Sequence, residues 1–190
     1  MQELKERIVK EGKVLPGNII KVDGFLNHRI DTQLMNHIAE EFGKHFNMDE
    51  VTMILTAEAS GIALSAIVAQ HFGKPMIFAK KAKSDNIEGG LYQSDIFSYT
   101  YKKKVTLLVS KEWLSADDKV LIIDDFMANG EAMRGLCDIV TAAGAELVGI
   151  GCAVEKGFQG GGDRLRAAGY DLESLAIIES AQPGNIVFRD

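Results

Sequence analysis

The sequence predicts an α/β fold in which a parallel sheet is flanked by helices. Short apolar runs alternate along the chain with segments that carry apolar residues at helical spacing, an order typical of parallel strands joined by helices. Some of the runs are apolar at every position, as expected for strands covered on both faces. The 190 residues suit one well-buried core, so we expect a single domain over residues 1–190.

The composition is that of an ordinary globular protein, with 46% hydrophobic and 25% charged residues. A net charge of −6 gives no overall attraction to nucleic acid, and no apolar run has the length of a membrane span. The N-terminus lacks the apolar stretch of a secretory signal. Cys137 and Cys152 fall within an apparent helix and an apparent strand, as expected of reduced thiols in a cytoplasmic protein. The sequence has no Cys/His cluster with the spacing of a stable metal site.

The elements of the N-terminal half follow from apolar spacing and turn residues. Asp31 is a suitable N-cap for a helix that extends to about Phe46, because its carboxylate can accept from the free N–H groups of the first turn. Pro75 and the two residues before it end a second helix. The expected elements are helices over 3–11, 31–46 and 61–71 and strands over 18–22, 51–55 and 76–80, with an irregular segment over 23–30.

The C-terminal half begins with the exception to this alternation. Residues 81–94 are polar and rich in Gly, Ser, Asp and Asn, which predicts a mobile loop, and an antiparallel hairpin follows with three lysines at its turn. Strands and helices then alternate again, and three glycines at 160–162 break the chain before a short helix. The expected elements are strands over 96–101, 105–109, 120–123, 146–154, 175–178 and 186–188 and helices over 131–143 and 163–168.

The most informative segment is residues 120–132, in which a four-residue apolar strand is followed by two carboxylates, a small-residue turn and a helix. Asp124 and Asp125 would lie where the strand leaves the sheet, which is where open α/β sheets place a ligand crevice. Two carboxylates there can accept from vicinal hydroxyls and help to hold a divalent cation. The small residues leave backbone N–H groups free to point inward, and the helix N-terminus attracts an anion such as phosphate. These residues predict a site for a phosphorylated sugar.

Residues 120–132 resemble the signature of the type I phosphoribosyltransferases. The resemblance implies the type I phosphoribosyltransferase fold, with an N-terminal hood over the base and a flexible loop that closes over the site. It also implies that Asp124 and Asp125 are catalytic and bind the ribose hydroxyls of phosphoribosyl pyrophosphate (PRPP). The 5′-phosphate would be bound by the phosphate turn, which consists of Ala128, Asn129, Gly130, Glu131 and Ala132.

A second strand-to-helix turn lies at residues 56–61, called the pyrophosphate turn here, where small residues let the backbone approach a phosphate. It resembles the pyrophosphate loop of the family, which often contains a non-proline cis peptide. The resemblance assigns Ala59, Ser60 and Gly61 to pyrophosphate. Lys80 and Lys81 precede the polar loop, where basic groups can neutralise charge on a departing pyrophosphate. We expect both lysines to bind pyrophosphate and Lys81 to be catalytic.

Lys156 follows another buried strand and therefore lies on the ligand side of the sheet, where its ammonium group can donate to a carbonyl oxygen of a base. Relatives that act on 6-oxopurines have a lysine here that binds O6, and Lys156 matches it by position. Residues 19–31, called the hood here, resemble the hood of bacterial members that use xanthine. By that resemblance Asn27 contacts the 2-oxo side of xanthine, Ile20 lines the pocket, and Phe126 stacks on the purine ring.

The resemblance implies transfer of the 5-phosphoribosyl group from PRPP to N9 of xanthine, which forms xanthosine 5′-monophosphate (XMP) and pyrophosphate in purine salvage. Mg²⁺ would act with PRPP and pyrophosphate rather than at a stable protein site. The chain departs from the common pattern at three positions. Asn129 and Ala132 replace hydroxyl residues, and Ala128 replaces the aspartate proposed as the base for N7 in hypoxanthine-guanine enzymes, so Ala128 cannot accept that proton.

Two other functions stay open. An enzyme for guanine or hypoxanthine is one, since these bases share O6 with xanthine and only the likeness around Asn27 argues against them. A non-catalytic, PRPP-sensing purine repressor is the other. Such repressors normally carry a basic DNA-binding domain, for which the start of this sequence leaves no room. The expected partners are xanthine and PRPP, without nucleic acid or membrane, and the resemblance adds a homodimer.

Overall fold

A computed structural model describes residues 1–81, 90–98 and 103–189 of the chain. Its helices are α1 (Gln2–Glu11), α2 (Thr32–His45), α3 (Gly61–Phe72), α4 (Glu131–Ala143) and α5 (Gly161–Ala167). Its strands are β1 (Lys13–Leu15), β2 (Ile19–Lys21), β3 (Met53–Ala57), β4 (Met76–Ala79), β5 (Leu91–Ser98), β6 (Lys103–Ser110), β7 (Lys119–Met127), β8 (Glu146–Lys156), β9 (Leu172–Gln182) and β10 (Asn185–Phe188). A π-helical turn spans Asp23–Asn27 and a 3-10 turn spans Gly157–Gln159.

Six strands form the central sheet in the order β10-β9-β8-β7-β3-β4. Strands β4, β3, β7, β8 and β9 are parallel to their neighbours in that order, which confirms the predicted parallel sheet. Strand β10 is antiparallel to β9. The two-residue turn at Pro183 and Gly184 is the reason, because so short a connection can join only antiparallel strands.

Strand β7 is buried on both faces, as its apolar sequence predicts. Leu121 and Ile123 belong to the apolar cluster that contains α2 and α3, while Val120 and Ile122 belong to the cluster that contains α4. All four side chains are fully buried. Successive residues of a strand point to opposite faces of the sheet, so one run of residues supplies two apolar layers. The sheet is therefore flanked by helices, as expected.

Two helices begin where the sequence predicts, for reasons that the structure makes explicit. Gly130 and Gly144 flank α4 with φ angles of 76° and 72°, a conformation that glycine adopts without steric cost. Helix α2 follows Asp31, whose carboxylate accepts from the Leu34 N–H at 3.1 Å and so satisfies a free donor of the first turn. The other helices begin and end within two residues of their predicted positions.

Strand β2 lies within the strand predicted over 18–22, but the sequence did not predict β1 or the hairpin that the two strands form. The two strands are antiparallel and are joined by Pro16, Gly17 and Asn18, of which Gly17 and Asn18 have positive φ. Strand β1 has three residues, too few for an alternating pattern to be visible. The segment 23–30, predicted to be irregular, contains the π-helical turn.

The loop predicted for residues 81–94 lies largely outside the described residues, which omit 82–89. Its last part is a strand, since β5 begins at Leu91 and pairs with β6. The predicted turn of this hairpin also lies largely outside the described residues, which omit 99–102. A backbone bridge between Lys80 and Leu108 ties the hairpin to the end of β4. In the part of the chain that the structure describes, no helix has both the length and the apolar character needed to cross a membrane.

Candidate active site

The candidate site lies at the carboxyl ends of β3 and β7. The chain leaves β3 for β4 on one side and later enters β7 on the other side, so the winding direction reverses between these two strands. Ligands of open α/β sheets bind at such a point. A cavity of about 500 Å³ opens there. Its lining includes Ile20, Asn27, Ser60, Lys81, Asp124, Phe126, Lys156 and all five residues of the phosphate turn.

The two carboxylates of β7 have different surroundings. The sequence placed them just after the strand, but β7 continues to Met127 because its pairing with β8 extends that far. Asp124 is 7% exposed and lines the cavity, whereas Asp125 is 1% exposed and is not among the lining residues. Successive strand residues face opposite sides of the sheet. Only Asp124 therefore presents its carboxylate directly to the cavity.

Asp124 is held in a tight and weakly solvated position. Its Oδ1 atom accepts from the backbone N–H of Asp125 at 2.9 Å. A Cβ at Gly61 would collide with Asp124 Oδ1 and with Thr56 Oγ1, so the absence of a side chain at Gly61 lets α3 approach the carboxylate. Burial, and then the neighbouring charge of Asp125, raise the pKa of Asp124 well above its ordinary value. A ligand that donates to this carboxylate or brings a cation would favour its charged form.

Asp125 connects the acid pair to the hood. Its Oδ2 atom accepts from Nδ2 of Asn27 at 2.8 Å. Its Oδ1 atom is buried and has no hydrogen-bond partner among the described residues. The predicted base-contacting residue and the second predicted ribose-binding residue are therefore in direct contact, although 98 positions separate them in the chain.

The phosphate turn is backed by α5. Gly161 Cα lies close to the turn, and a Cβ there would come within 2.6 Å of the Asn129 carbonyl carbon and the Gly130 nitrogen. Arg164 donates to the Asn129 carbonyl oxygen at 3.0 Å. Glu131 is engaged by Arg134 at 3.2 Å, which partly neutralises an anionic group next to the proposed phosphate position.

The pyrophosphate turn contains a cis peptide between Glu58 and Ala59, as the family resemblance implied. Ser60 lines the cavity, whereas Ala59 and Gly61 are not among the lining residues. Glu58, which the sequence analysis did not single out, also lines it. The Glu58 carboxylate accepts from the Lys81 backbone N–H at 2.6 Å, so this turn and the start of the predicted loop are joined.

The two lysines predicted to bind pyrophosphate are placed differently. Lys81 lines the cavity and is exposed. Lys80 is not among the lining residues, and its backbone pairs with Leu108. Lys83, which preceded the predicted loop together with them, lies outside the described residues. The structure thus brings one of the two described lysines to the cavity.

The four predicted base-binding residues, Ile20, Asn27, Phe126 and Lys156, all line the cavity. The Lys156 ammonium lies 5.3 Å from the Phe126 ring centroid and donates to the Asn18 carbonyl oxygen at 3.3 Å. Burial lowers the pKa of Lys156, because a low-dielectric environment disfavours its charged form. Ile20 contributes an apolar wall and is 7% exposed. Together these side chains provide the cavity lining with an aromatic face, an apolar side chain and a cationic donor.

Glu155 was missed in the sequence, and its carboxylate anchors α5. It is fully buried and accepts from both terminal nitrogens of Arg166, at 3.2 and 2.8 Å, and from the Ser174 hydroxyl at 2.6 Å. A Cβ at Gly162 would collide with its carboxylate. The sequence analysis interpreted the glycines at 160–162 only as a chain break. They were also the sequence signal that α5 packs closely against its neighbours.

The architecture and the site define a phosphoribosyltransferase-like protein, and comparison with known families agrees. The family model described as "Phosphoribosyl transferase domain" matches residues 22–182. The chain belongs to this family, and the resemblance found in the sequence is confirmed.

Curated relatives match over the full chain. One from Bifidobacterium longum is 54% identical over 100% of both chains, and one from Lachnoclostridium phytofermentans is 53% identical over 100% of this chain and 98% of its own. Both are named xanthine phosphoribosyltransferase.

Solved structures share the fold. An APRTase from Giardia lamblia has a TM-score of 0.76 at 20% identity and covers 90% of this chain and 96% of its own. An adenine phosphoribosyl transferase from Trypanosoma brucei has a TM-score of 0.74 at 20% identity, with 90% and 78% covered. The predicted fold class, α/β of the type I phosphoribosyltransferase kind, is confirmed.

Proposed function

We propose that this chain transfers the 5-phosphoribosyl group of PRPP to N9 of xanthine and so forms XMP and pyrophosphate. The observation that supports it most is that Asn27 and Lys156 line the same cavity as Asp124 and the phosphate turn. The names of the relatives that match the whole chain at 53–54% identity support the same substrate.

The sugar and its phosphate would be held by β7 and the turn that follows it. Asp124 accepts from a ribose hydroxyl, and Asp125 is the second acid of the pair. Backbone N–H groups of the phosphate turn bind the 5′-phosphate, helped by the N-terminus of α4. Ala128 and Ala132 have no polar side-chain atom, so at these positions only the backbone can donate.

The departing pyrophosphate would lie at the pyrophosphate turn and Lys81. We propose that Ala59, Ser60 and Gly61 contact it, with Lys80 as a further cation. The positive charges stabilise the leaving group, while the carboxylate of Asp124 stabilises positive charge that develops on the sugar. Positioning and electrostatics then supply most of the rate enhancement.

The base would be selected by groups at the two ends of its six-membered ring. Lys156 donates to O6 and Asn27 contacts the 2-oxo side, while Phe126 and Ile20 hold the ring. Adenine carries an amino group at position 6, so it would present a donor to the half-buried Lys156 where a 6-oxopurine presents an acceptor, and such a mismatch of buried polar groups is costly.

Mg²⁺ fits this donor set as a companion of the substrate. Among the described residues, no group of three or more His, Cys, Asp or Glu could hold a metal ion, but the carboxylate of Asp124 on the cavity wall is a hard oxygen ligand. We propose that Asp124 would help to hold an ion that binds together with PRPP. When bound, Mg²⁺ lowers the charge of the pyrophosphate leaving group. Chelation with EDTA should abolish nucleotide formation, and added Mg²⁺ should restore it.

The direct test is a nucleotide-formation assay with PRPP, Mg²⁺ and xanthine, guanine, hypoxanthine or adenine. We expect the highest kcat/KM for xanthine and no product with adenine. Substituting both Asp124→Ala and Asp125→Ala should lower turnover more than about tenfold, since charge-stabilising groups at a reacting centre contribute at least this much. Wild-type turnover in that double variant would contradict the ribose assignment.

The second candidate function is phosphoribosyl transfer to guanine or hypoxanthine. Lys156 is compatible with it because these bases carry O6, as xanthine does. The same assay separates it, since it predicts a higher kcat/KM for one of them than for xanthine. A purine repressor that senses PRPP without catalysis is the third. It predicts a gel shift with operator-type DNA and no nucleotide product.

We further propose a single domain over residues 1–190, a homodimer and a cytoplasmic location. Each rests on the family resemblance and the composition rather than on a contact in the structure. Sedimentation equilibrium tests the assembly, and one cooperative unfolding transition tests the single domain.

A further inference from the structure

The contact between the hood and the acid pair has a chemical direction. A carboxylate oxygen accepts and the Asn27 amide nitrogen donates, so the 2.8 Å contact fixes which end of the amide faces Asp125. The amide NH₂ group has two hydrogens, and Asp125 takes one. Because Asn27 lines the cavity, its second N–H and its carbonyl oxygen remain for a ligand.

Asp125 is placed to act through Asn27. Its side chain is 1% exposed and is not among the cavity-lining residues. The same strand that carries Asp125 also carries Asp124 and Phe126, whereas Asn27 ends a π-helical turn of the hood. The contact therefore joins the central strand to the end of the hood's π-helical turn, whose Phe25 and Leu26 are buried in the same apolar cluster as residues of that strand.

We propose that Asp125 is a positioning residue for base selection: by accepting one N–H of Asn27, it aims the other at the 2-oxo group of xanthine. This rests on the proposed function and adds a role to the predicted ribose contact of Asp125. A free asparagine amide samples several orientations and can turn its carbonyl oxygen, an acceptor, toward the base. Held by Asp125, it presents a donor, which suits an oxo group at position 2.

The ratio of kcat/KM for xanthine to kcat/KM for hypoxanthine isolates this role. The two bases share the 6-oxo group and differ at position 2, where hypoxanthine has only hydrogen. Loss of a ribose contact or a general structural defect lowers both values and leaves the ratio unchanged. Loss of the aimed N–H lowers only the value for xanthine.

Three variants form the test. Asp125→Ala should lower the ratio about fivefold, since the lost bond between the Asn27 N–H and the 2-oxo group is a hydrogen bond between neutral groups. Asp124→Ala, the matched control on the same strand, should lower both values and keep the ratio within about twofold. Asp125→Asn keeps the volume and an acceptor oxygen, so its ratio should lie between those of the wild type and Asp125→Ala.

A double-variant comparison completes the test of Asp125. In an Asn27→Ala background, Asp125→Ala should leave the ratio within about twofold, because the group it positions is gone. If turnover is too slow to measure, the ratio of the dissociation constants of XMP and inosine 5′-monophosphate tests the same contact at position 2 in the bound product. An unchanged ratio in Asp125→Ala, or a change that persists without Asn27, refutes the positioning role. A wild-type enzyme that forms no XMP would refute the proposed function instead.

Discussion

The Lys156 ammonium group lies 5.3 Å from the centroid of the Phe126 ring and donates to the Asn18 carbonyl oxygen at 3.3 Å. The same cation thus contacts an aromatic face and the turn of the N-terminal hairpin. A purine that stacks on Phe126 would offer Lys156 a new acceptor next to the present one.

Replacing Lys156 with Met keeps most of the side-chain length and removes the charge. We expect kcat/KM for xanthine to fall about tenfold to a hundredfold, because a hydrogen bond to a charged group is lost, and the preference for 6-oxopurines over adenine to narrow. Steady-state kinetics across the bases measure both effects. Lys119→Met is the control, since Lys119 begins β7 and pairs with Glu146 at 3.3 Å on the surface. An intact base preference in Lys156→Met would contradict the O6 assignment.

Asp124→Asn should make the protein more stable and less active. The raised pKa of Asp124 means that the folded protein keeps this proton at pH values where the unfolded chain has lost it. Ionisation of Asp124 therefore lowers stability as pH rises from the unfolded value near 3.8 through the folded pKa. Urea unfolding should give a higher free energy of unfolding for the variant than for the wild type at neutral pH. The difference should shrink as the pH falls toward the unfolded pKa. If the gain in free energy of unfolding were equal at every pH, or if the exposed control Asp49→Asn showed a similar pH dependence, ionisation of Asp124 would not be its cause.

Gly161→Ala should displace the phosphate turn. The new Cβ would meet the backbone of Asn129 and Gly130 at 2.6 Å, and backbone atoms cannot move aside as a side chain can. We expect the KM for PRPP to rise about tenfold or more, because small displacements in a positioned site are costly. Gly24→Ala is the control, since a Cβ at Gly24 would meet nothing within 4 Å. A wild-type KM for PRPP in Gly161→Ala would show that α5 does not set the position of the turn.

Arg166→Met should destabilise the fold by about 3 kcal/mol, because it leaves the fully buried Glu155 carboxylate without its cation. Urea unfolding measures this change in free energy. Arg134→Met removes the same side chain from exposed pairs with Glu131 and Asp138 and should cost less than about 1 kcal/mol. Similar losses in the two variants would mean that the Glu155 pair has no special role.

Local patterns in the sequence determined the elements that form the site. The apolar run of β7, the small residues after it and the glycines around α4 follow from strand burial and left-handed backbone conformations, which depend on near neighbours. The order strand, acids, turn and helix was therefore visible in thirteen consecutive residues. Strand β1 and the extension of β7 to Met127 were not visible in the sequence, because pairing with a neighbouring strand decides them.

Only the tertiary structure decided which of these residues meet. Asn27 contacts Asp125 across 98 positions, Lys156 contacts Asn18 across 138, and Gly161 packs on the phosphate turn. Such contacts depend on the order of strands in the sheet and on the packing of whole elements, which no local periodicity records. Sequence determined the chemical groups, and packing decided that Asp124 faces the cavity while its neighbour Asp125 accepts a hydrogen bond from Asn27 of the hood.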